Sequence, residues 1–176
     1  MREKPIYVVI GTRAQLIKMA PVMQELDRRG LQYQFIYTAQ HRETIEKLLA
    51  NFSLSQPDIT LVPGKKEADT RGQFFLWLLS MLKKLLFRAH RIITKPGILL
   101  THGDTVTTVL AALLGRLTRS TVVHLEAGLR SYDIWNPFPE ELCRLATFRL
   151  SDHYLCPDDM AVERLTRYRG RKVSMG

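Results

Sequence analysis

Short, mostly apolar segments alternate along this chain with longer segments in which apolar residues recur every three or four positions. A short run that is apolar on both sides is typical of a strand buried on both faces of a parallel sheet. Apolar residues spaced by three or four are typical of a helix with one buried face. The pattern predicts seven strands, at Pro5–Ile10, Gln32–Thr38, Pro57–Leu61, Gly97–Thr101, Thr121–Leu125, His153–Cys156 and Arg171–Met175.

Helices are predicted between consecutive strands, at about Gln15–Arg29, His41–Phe52, Arg71–Ile93, Asp104–Thr118, Glu140–Leu150 and Asp158–Tyr168. This regular alternation of strand and helix indicates an α/β protein with a doubly wound parallel sheet. A length of 176 residues suits one such domain. We therefore predict a single domain over 1–176.

Polar and ionisable residues follow directly after several predicted strands. Gly11–Arg13 follows the first strand, His102–Asp104 the fourth, and Glu126 the fifth. Right-handed crossovers bring the carboxyl ends of parallel strands to one edge of the sheet, where open α/β folds bind their ligands. Gln40 and His41, after the second strand, are expected at the same edge.

Three carboxylates, those of Asp104, Glu126 and Glu140, are the candidates for chemistry at this edge. Each also has a structural interpretation. Asp104 suits a helix cap, Glu126 suits an acceptor of backbone hydrogen bonds, and Glu140 suits a partner for Arg144 four residues later. Carboxylates in a partly desolvated cleft exchange protons with a substrate, while neighbouring cations hold its phosphates. Because all three acids fall on one edge, the catalytic interpretation is favoured.

Cations accompany these acids. Arg13 and Lys18, near the start of the first helix, suit phosphate contacts, and Arg130 and Arg144 lie close to the acids in sequence. The whole chain has 26 Lys and Arg against 17 Asp and Glu, a net charge of +9, which favours anionic partners. No basic run is interleaved with aromatic residues, so nucleic acid is not an expected partner.

The two cysteines, Cys143 and Cys156, form no CxxC motif, and no cluster of histidines completes a zinc site. Neither a disulfide framework nor a metal site is predicted. The apolar run near the N-terminus is too short for a signal peptide. The expected location is therefore cytoplasmic.

The third predicted helix is apolar almost all round between Phe74 and Leu82, and basic residues follow. Its apolar run is far shorter than the roughly 20 residues that span a bilayer. A buried crossover helix, a subunit interface and a helix lying on a membrane surface are the three interpretations. We favour burial combined with a homodimer interface over Phe74–Phe87, and disfavour the membrane surface.

Five motifs in order resemble those of the non-hydrolysing UDP-N-acetylglucosamine 2-epimerases. They are Gly11–Val22 (GTRAQLIKMAPV), Thr38–Glu43 (TAQHRE), Thr101–Thr108 (THGDTVTT), His124–Ser131 (HLEAGLRS) and Pro137–Arg144 (PFPEELCR). The resemblance is co-linear over nearly the whole chain. It implies a GT-B fold, in which two Rossmann-like domains hold a nucleotide sugar in the cleft between them.

The resemblance also implies a reaction. The family interconverts UDP-GlcNAc and UDP-ManNAc by eliminating UDP to a 2-acetamidoglucal and adding it back with C2 inverted. Carried over motif by motif, the acid/base carboxylates are Asp104, Glu126 and Glu140, with Arg144 beside them. No metal or redox cofactor is implied, and the family dimerises through helices of the N-terminal domain.

The resemblance assigns the nucleotide contacts as well. It implies that Arg13 and Lys18 lie near the nucleotide. The residues that we further expect to bind the substrate are Gln40, His41, His102 and Arg130.

Two departures from the family pattern keep alternatives open. The family usually has Pro-Glu where this chain has Ala14-Gln15, so a related UDP-sugar such as a uronic acid derivative is an alternative substrate. The chain also ends about where the family crosses into its second domain, which should carry much of the uridine site and a further catalytic histidine. The chain therefore resembles the N-terminal half of an enzyme, inactive alone. The remaining alternatives are a hydrolysing epimerase and a non-catalytic binding or assembly domain.

Overall fold

A computed structural model describes residues 4–39, 45–62 and 71–176. Within these ranges seven strands form one sheet. The strands are β1 (Ile6–Ile10), β2 (Tyr33–Tyr37), β3 (Ile59–Thr60), β4 (Ile98–His102), β5 (Thr121–Leu125), β6 (His153–Cys156) and β7 (Arg171–Ser174). The helices are α1 (Arg13–Arg28), α2 (Ile45–Asn51), α3 (Arg71–Ile92), α4 (Val106–Leu117), α5 (Glu140–Leu150) and α6 (Asp159–Arg164).

All strand pairs are parallel, and the strand order is β3-β2-β1-β4-β5-β6-β7. The predicted doubly wound α/β sheet is therefore confirmed. The order reverses between β1 and β4, which pair from Ile6 with Ile98 onward. A crevice opens at such a reversal, outside the carboxyl ends of the strands, and open α/β sheets bind ligands there.

Helices cover both faces of the sheet. Successive β1 residues point to opposite faces and pack against different helices. Val9 packs with Trp77 and Met81 of α3, whereas Val8 packs with Leu16 of α1. The central strand β1 therefore needs apolar residues at every position, as its uninterrupted IYVVI sequence shows. A third cluster around Phe148 and Tyr154 fills the β6 end of the sheet.

The helix α4 begins two residues later than predicted, and Asp104 does not cap it. Thr105 is the cap residue: its hydroxyl accepts the amide of Thr108, and the Thr108 hydroxyl accepts the amide of Thr105. A threonine at each end of this reciprocal pair satisfies two free amides, so the carboxylate of Asp104 is left for other contacts. The interpretation of Asp104 as a helix cap is wrong.

The helix α3 is buried on one face only. Trp77, Met81 and Leu85 are buried, and the Trp77 indole donates a 3.0 Å hydrogen bond to the Thr38 carbonyl. The opposite face exposes large apolar side chains, namely Phe75, Leu76, Leu79, Leu86 and Phe87. A helix buried all round is therefore excluded. None of the helices in the described ranges is both long and apolar enough to cross a bilayer.

Gly128, just after β5, is held in a left-handed conformation with φ +90. A Cβ added there would lie 2.3 Å from the backbone oxygen of Ala161 in α6. Both the torsion and the contact require glycine. The loop after β5 and the helix α6 are thereby locked together.

We predict that Gly128→Ala lowers the free energy of unfolding by about 3 kcal/mol, because a Cβ must push the α6 backbone away. Gly30→Ala is the matched control, since Gly30 also has positive φ but nothing lies within 4 Å of its added Cβ. Torsional strain alone should cost Gly30→Ala about 1 kcal/mol. Equal losses of the two variants in urea denaturation would contradict the prediction.

Candidate active site

The turns after β1 and β4 are joined by the buried side chain of Gln15. Its Oε1 accepts the amides of Gly11 (2.9 Å) and Thr12 (3.2 Å). Its Nε2 donates to the His102 carbonyl (2.9 Å) and the Thr108 hydroxyl (3.0 Å). Gln15, which departs from the family pattern, therefore uses its side-chain amide in internal hydrogen bonds. A carboxylate at this position could not donate to the His102 carbonyl.

Glu126 follows β5 with its backbone in the left-handed region, at φ 57. A non-glycine residue in this region is strained, and such strain concentrates at functional sites. The conformation presents the carboxylate to two elements at once. Its Oε1 accepts from Lys18 Nζ at 3.0 Å, and its Oε2 lies 3.2 Å from His102 Nε2.

The ring of His102 pairs with the carboxylate of Glu126. Its side chain is only 10% exposed, and burial lowers its pKa below 6.5, although the nearby Glu126 and Asp104 carboxylates oppose this effect. His102 is therefore neutral at pH 7, and its Nε2 faces the Glu126 carboxylate, to which it donates a hydrogen bond. This ring and the Glu126 carboxylate form a pair suited to proton exchange.

Arg144 of α5 gathers three carboxylates. Its Nη2 contacts Asp104 and lies 3.5 Å from Glu140 Oε2, and its Nη1 lies 3.4 Å from Glu141 Oε2. The structural interpretation of Glu140 as the partner of Arg144 is thus confirmed. It does not exclude catalysis, because the Glu140 side chain keeps 44% of its surface exposed.

The carboxylate of Glu141 is the buried anchor of the site. It accepts hydrogen bonds from Arg130, from the Ser131 amide (3.1 Å) and hydroxyl (3.2 Å), and from Arg144. Burial alone would raise the pKa of Glu141, but the bonds from Arg130 and the Ser131 amide outweigh it and hold this pKa below its ordinary value. The carboxylate is therefore ionised at neutral pH.

Glu141 is not among the candidate residues predicted from the sequence, although it is adjacent to Glu140. Its helical spacing to Phe148, seven residues later, is the signal that places both on the buried face of α5.

A second histidine, His124, supports the turn that carries His102 and Asp104. The ring is 1% exposed, and its Nε2 lies 2.7 Å from the Gly103 carbonyl. Burial lowers the pKa of His124 to about 4, so the ring is neutral and donates from Nε2. His124 was also outside the predicted set of site residues.

The predicted residues are placed as follows. Arg13 is exposed at the first position of α1. Arg130 is 12% exposed, with its guanidinium on Glu141 and 4.7 Å above the Tyr132 ring. Gln40 and His41 lie outside the described residues. In residues 4–39, 45–62 and 71–176, no three His, Cys, Asp or Glu side chains cluster as metal ligands.

The accessible carboxylates differ from the buried one. The side chains of Asp104 and Glu126 are 27% and 29% exposed, whereas that of Glu141 is 1% exposed. A substrate in the crevice can reach the first two and Glu140, but not Glu141. The site thus has three acids open to a ligand, supported by a fourth that positions two arginines.

We predict that Glu141→Gln lowers the free energy of unfolding at pH 7 by about 3 kcal/mol, because the buried guanidinium of Arg130 loses its charge partner and that of Arg144 loses one of three. The pKa of Glu141 in the folded state lies below the ordinary 4.5. The ionised carboxylate therefore stabilises the fold fully above pH 4.5, and this stabilisation is lost as the pH falls through the folded-state pKa. The gap between wild type and variant in urea denaturation should therefore shrink in acid. Exposed Glu163→Gln is the control, and a gap independent of pH would count against the prediction.

A profile for the family described as UDP-N-acetylglucosamine 2-epimerase matches residues 24–173. The enzyme of that name from Yersinia pestis is 34% identical over 166 residues, which are 92% of this chain and 42% of the relative. The chain thus spans less than half the length of the curated relatives that it matches.

Solved structures agree in fold. The UDP-GlcNAc 2-epimerase from Neisseria meningitidis bound to UDP-GlcNAc matches with a TM-score of 0.75 and 33% identity, over 92% of this chain and 42% of that one. The Methanocaldococcus jannaschii enzyme in complex with UDP-GlcNAc and UDP matches with a TM-score of 0.81 and 26% identity, over 98% and 46%. The expected fold class, the Rossmann-like half of a GT-B architecture, is confirmed. On its sequence and its fold, the chain belongs to the UDP-N-acetylglucosamine 2-epimerase family.

Proposed function

We propose that this chain is the N-terminal, acid-bearing domain of a UDP-N-acetylglucosamine 2-epimerase that interconverts UDP-GlcNAc and UDP-ManNAc. The observation that carries the proposal is the group of three accessible carboxylates at the carboxyl edge of the sheet, beside its topological reversal. Asp104 and Glu140 meet on Arg144, and Glu126 meets Lys18 and His102. Family membership supplies the reaction for which such a group is suited.

In the proposed reaction the bond from C1 to the UDP oxygen breaks as the proton on C2 leaves. The product is a 2-acetamidoglucal, to which UDP then adds as a proton returns to C2. Because C2 is inverted, the proton leaves from one face of the sugar and returns on the other. At least two groups are therefore needed, and Asp104, Glu126 and Glu140 provide them, with His102 as the proton-exchanging partner of Glu126.

The cations have the complementary role of holding the leaving diphosphate. Arg13 and Lys18 lie at the β1 end of the edge, and Lys18 is 59% exposed while in contact with Glu126. Their charge stabilises the additional negative charge that develops on the β-phosphate of UDP as the C1–oxygen bond breaks. Arg130 and the unassigned Gln40 and His41 complete the proposed substrate-binding set.

A second Rossmann-like domain is part of the proposal. The relatives that match are more than twice as long as the matched region, and the acids of this domain face the edge where a cleft would lie. The second domain would supply most of the uridine contacts, so the chain alone is proposed to be inactive.

A cytoplasmic location accompanies the proposal, since both cysteines of the fold are free.

A homodimer through α3 is also proposed. Five large apolar side chains between Phe75 and Phe87 are exposed on one helix face, and an exposed apolar patch of this kind marks an interface. Of the exposed cations of α3, Arg88 and Arg91 lie beside this face, whereas Lys83 lies within it, four residues after Leu79. A pairing that buries the apolar residues leaves Arg88 and Arg91 at the rim and requires the long side chain of Lys83 to extend to solvent.

We expect Asp104→Asn, Glu126→Gln and Glu140→Gln each to reduce epimerisation by about 100-fold or more in the native-length protein, because each removes a proton-transfer group or its support. Proton NMR of UDP-GlcNAc and UDP-ManNAc measures the rate, and Glu163→Gln is the matched control on an exposed surface. The intact mass of the native protein establishes first whether a second domain is present. Wild-type rates in all three variants would contradict the proposal.

The same spectra separate the alternatives. Release of free ManNAc and UDP would identify a hydrolysing epimerase, and inversion of a UDP-uronic acid in preference to UDP-GlcNAc would identify a related substrate. Binding of UDP without turnover by the native-length protein would identify a non-catalytic nucleotide-sugar domain.

For the dimer, we predict that Leu86→Glu shifts the equilibrium towards monomer by about tenfold or more, because a symmetric interface buries the new charge twice. Met160→Glu, at an equally exposed apolar position on α6, should leave the dimer intact. Sedimentation equilibrium measures both. A wild-type chain that is monomeric throughout the accessible concentration range would contradict the interface.

A further inference from the structure

The amino edge of the sheet, opposite the candidate active site, carries a concentration of arginines. Two adjoining cavities of about 590 and 490 Å³ lie there and share Arg116 and Asp152 in their walls. We call this region the arginine basin. Its arginines are Arg116, Arg119, Arg149, Arg167 and Arg169. Among the described residues that line the two cavities there is no lysine.

The chain topology explains how these residues meet. The helices α4 and α5 both end at this edge, and the segment from α6 to β7 returns to it. Arg116 and Arg149 lie in the last turns of their helices, where a cation balances the helix dipole. Arg119, Arg167 and Arg169 lie beyond helix ends, so the dipole does not account for them.

Internal partners do not neutralise the basin. The walls contain one carboxylate, that of Asp152, and both of its oxygens are occupied. Oδ1 accepts from Arg116 at 2.9 Å, and Oδ2 accepts the Val122 amide at 2.9 Å. In the described part of the chain, no ion pair is formed by the other four arginines.

Two of these four arginines have only neutral contacts. The guanidinium of Arg149 donates to the Leu145 carbonyl at 3.1 Å. That of Arg167 donates to the Tyr168 hydroxyl at 3.1 Å and stacks 5.1 Å from the Tyr168 ring. Neither contact removes charge, so the basin has an excess of about four positive charges.

We propose that the arginine basin binds a phosphate-bearing anion with at least two negative charges. Planar guanidiniums hold phosphate oxygens through paired hydrogen bonds, and several around one concavity suit a diphosphate better than a single charge. Phe148 and Tyr168 lie behind the larger cavity with their side chains almost fully buried, so the arginines supply the recognition. The basin is separate from the proposed catalytic edge, because it lies at the other end of the strands.

The probe is inorganic pyrophosphate, titrated into the ¹⁵N-labelled chain. The amide signals of Ser151 and Gly170, which line the larger cavity, report binding locally. The triple variant Arg149→Gln/Arg167→Gln/Arg169→Gln should weaken binding at these signals by about tenfold or more. The control Lys4→Gln/Lys47→Gln/Lys95→Gln removes the same charge from exposed positions elsewhere and should change the affinity by less than about twofold.

A second arm distinguishes a free phosphate compound from a lipid headgroup. Sedimentation with phosphatidylcholine vesicles, with and without cardiolipin, whose headgroup carries two phosphates, tests the lipid source. Vesicle binding that requires cardiolipin and is lost only in the basin variant supports the proposal with a headgroup as the ligand. Absence of binding in both arms overturns the proposal, as does equal weakening by the basin and control variants. Circular dichroism melting confirms that both variants are folded.

Discussion

The buried carboxylate of Glu141 is the group on which the geometry of the candidate active site depends. An ionised carboxylate with 1% of its side chain exposed is costly unless it is paired and hydrogen-bonded, and here two arginines and Ser131 do both. Its demand for charge holds Arg130 and Arg144 in place. Arg144 in turn positions Asp104 and Glu140, so a side chain that no substrate reaches sets the geometry of those that a substrate can reach.

A second constraint joins the two halves of the edge. Gln15 bonds the β1 turn to the β4 turn through both ends of its amide, and His124 supports the Gly103 carbonyl from below. These neutral contacts position His102 without adding charge beside it. Glu126 reaches His102 only because its backbone accepts a left-handed torsion, which the locked loop at Gly128 maintains.

The two ends of the sheet differ in their balance of positive and negative charge. At the carboxyl edge, four carboxylates (Asp104, Glu126, Glu140 and Glu141) face four cations (Arg13, Lys18, Arg130 and Arg144) in a nearly neutral group. A group with balanced charges suits proton transfer, because neither the protonated nor the ionised form of a carboxylate is strongly favoured by its surroundings. At the amino edge the arginines are largely uncompensated. The net charge of +9 is therefore not a uniform feature of the surface.

The sequence by itself determined the fold class, the number of strands, and the edge of the sheet at which the polar strand ends gather. It did so because burial on both faces forces continuous apolar runs, and because right-handed crossovers leave little freedom in where strand ends meet. Local chemistry was less predictable. The cap of α4 went to Thr105 instead of Asp104, since a reciprocal threonine pair satisfies more amides than one carboxylate.

Only the tertiary structure decided which acid is buried. Glu140 and Glu141 are adjacent and chemically alike, and the rotation of α5 against the sheet exposes one and buries the other. The same holds for Gln15, whose four partners come from segments up to 93 residues away. Helical spacing shows that Glu141 shares a face with Phe148, but the way that face meets the sheet, and the distant segments that supply hydrogen bonds, are set by packing and not by a local pattern of residues.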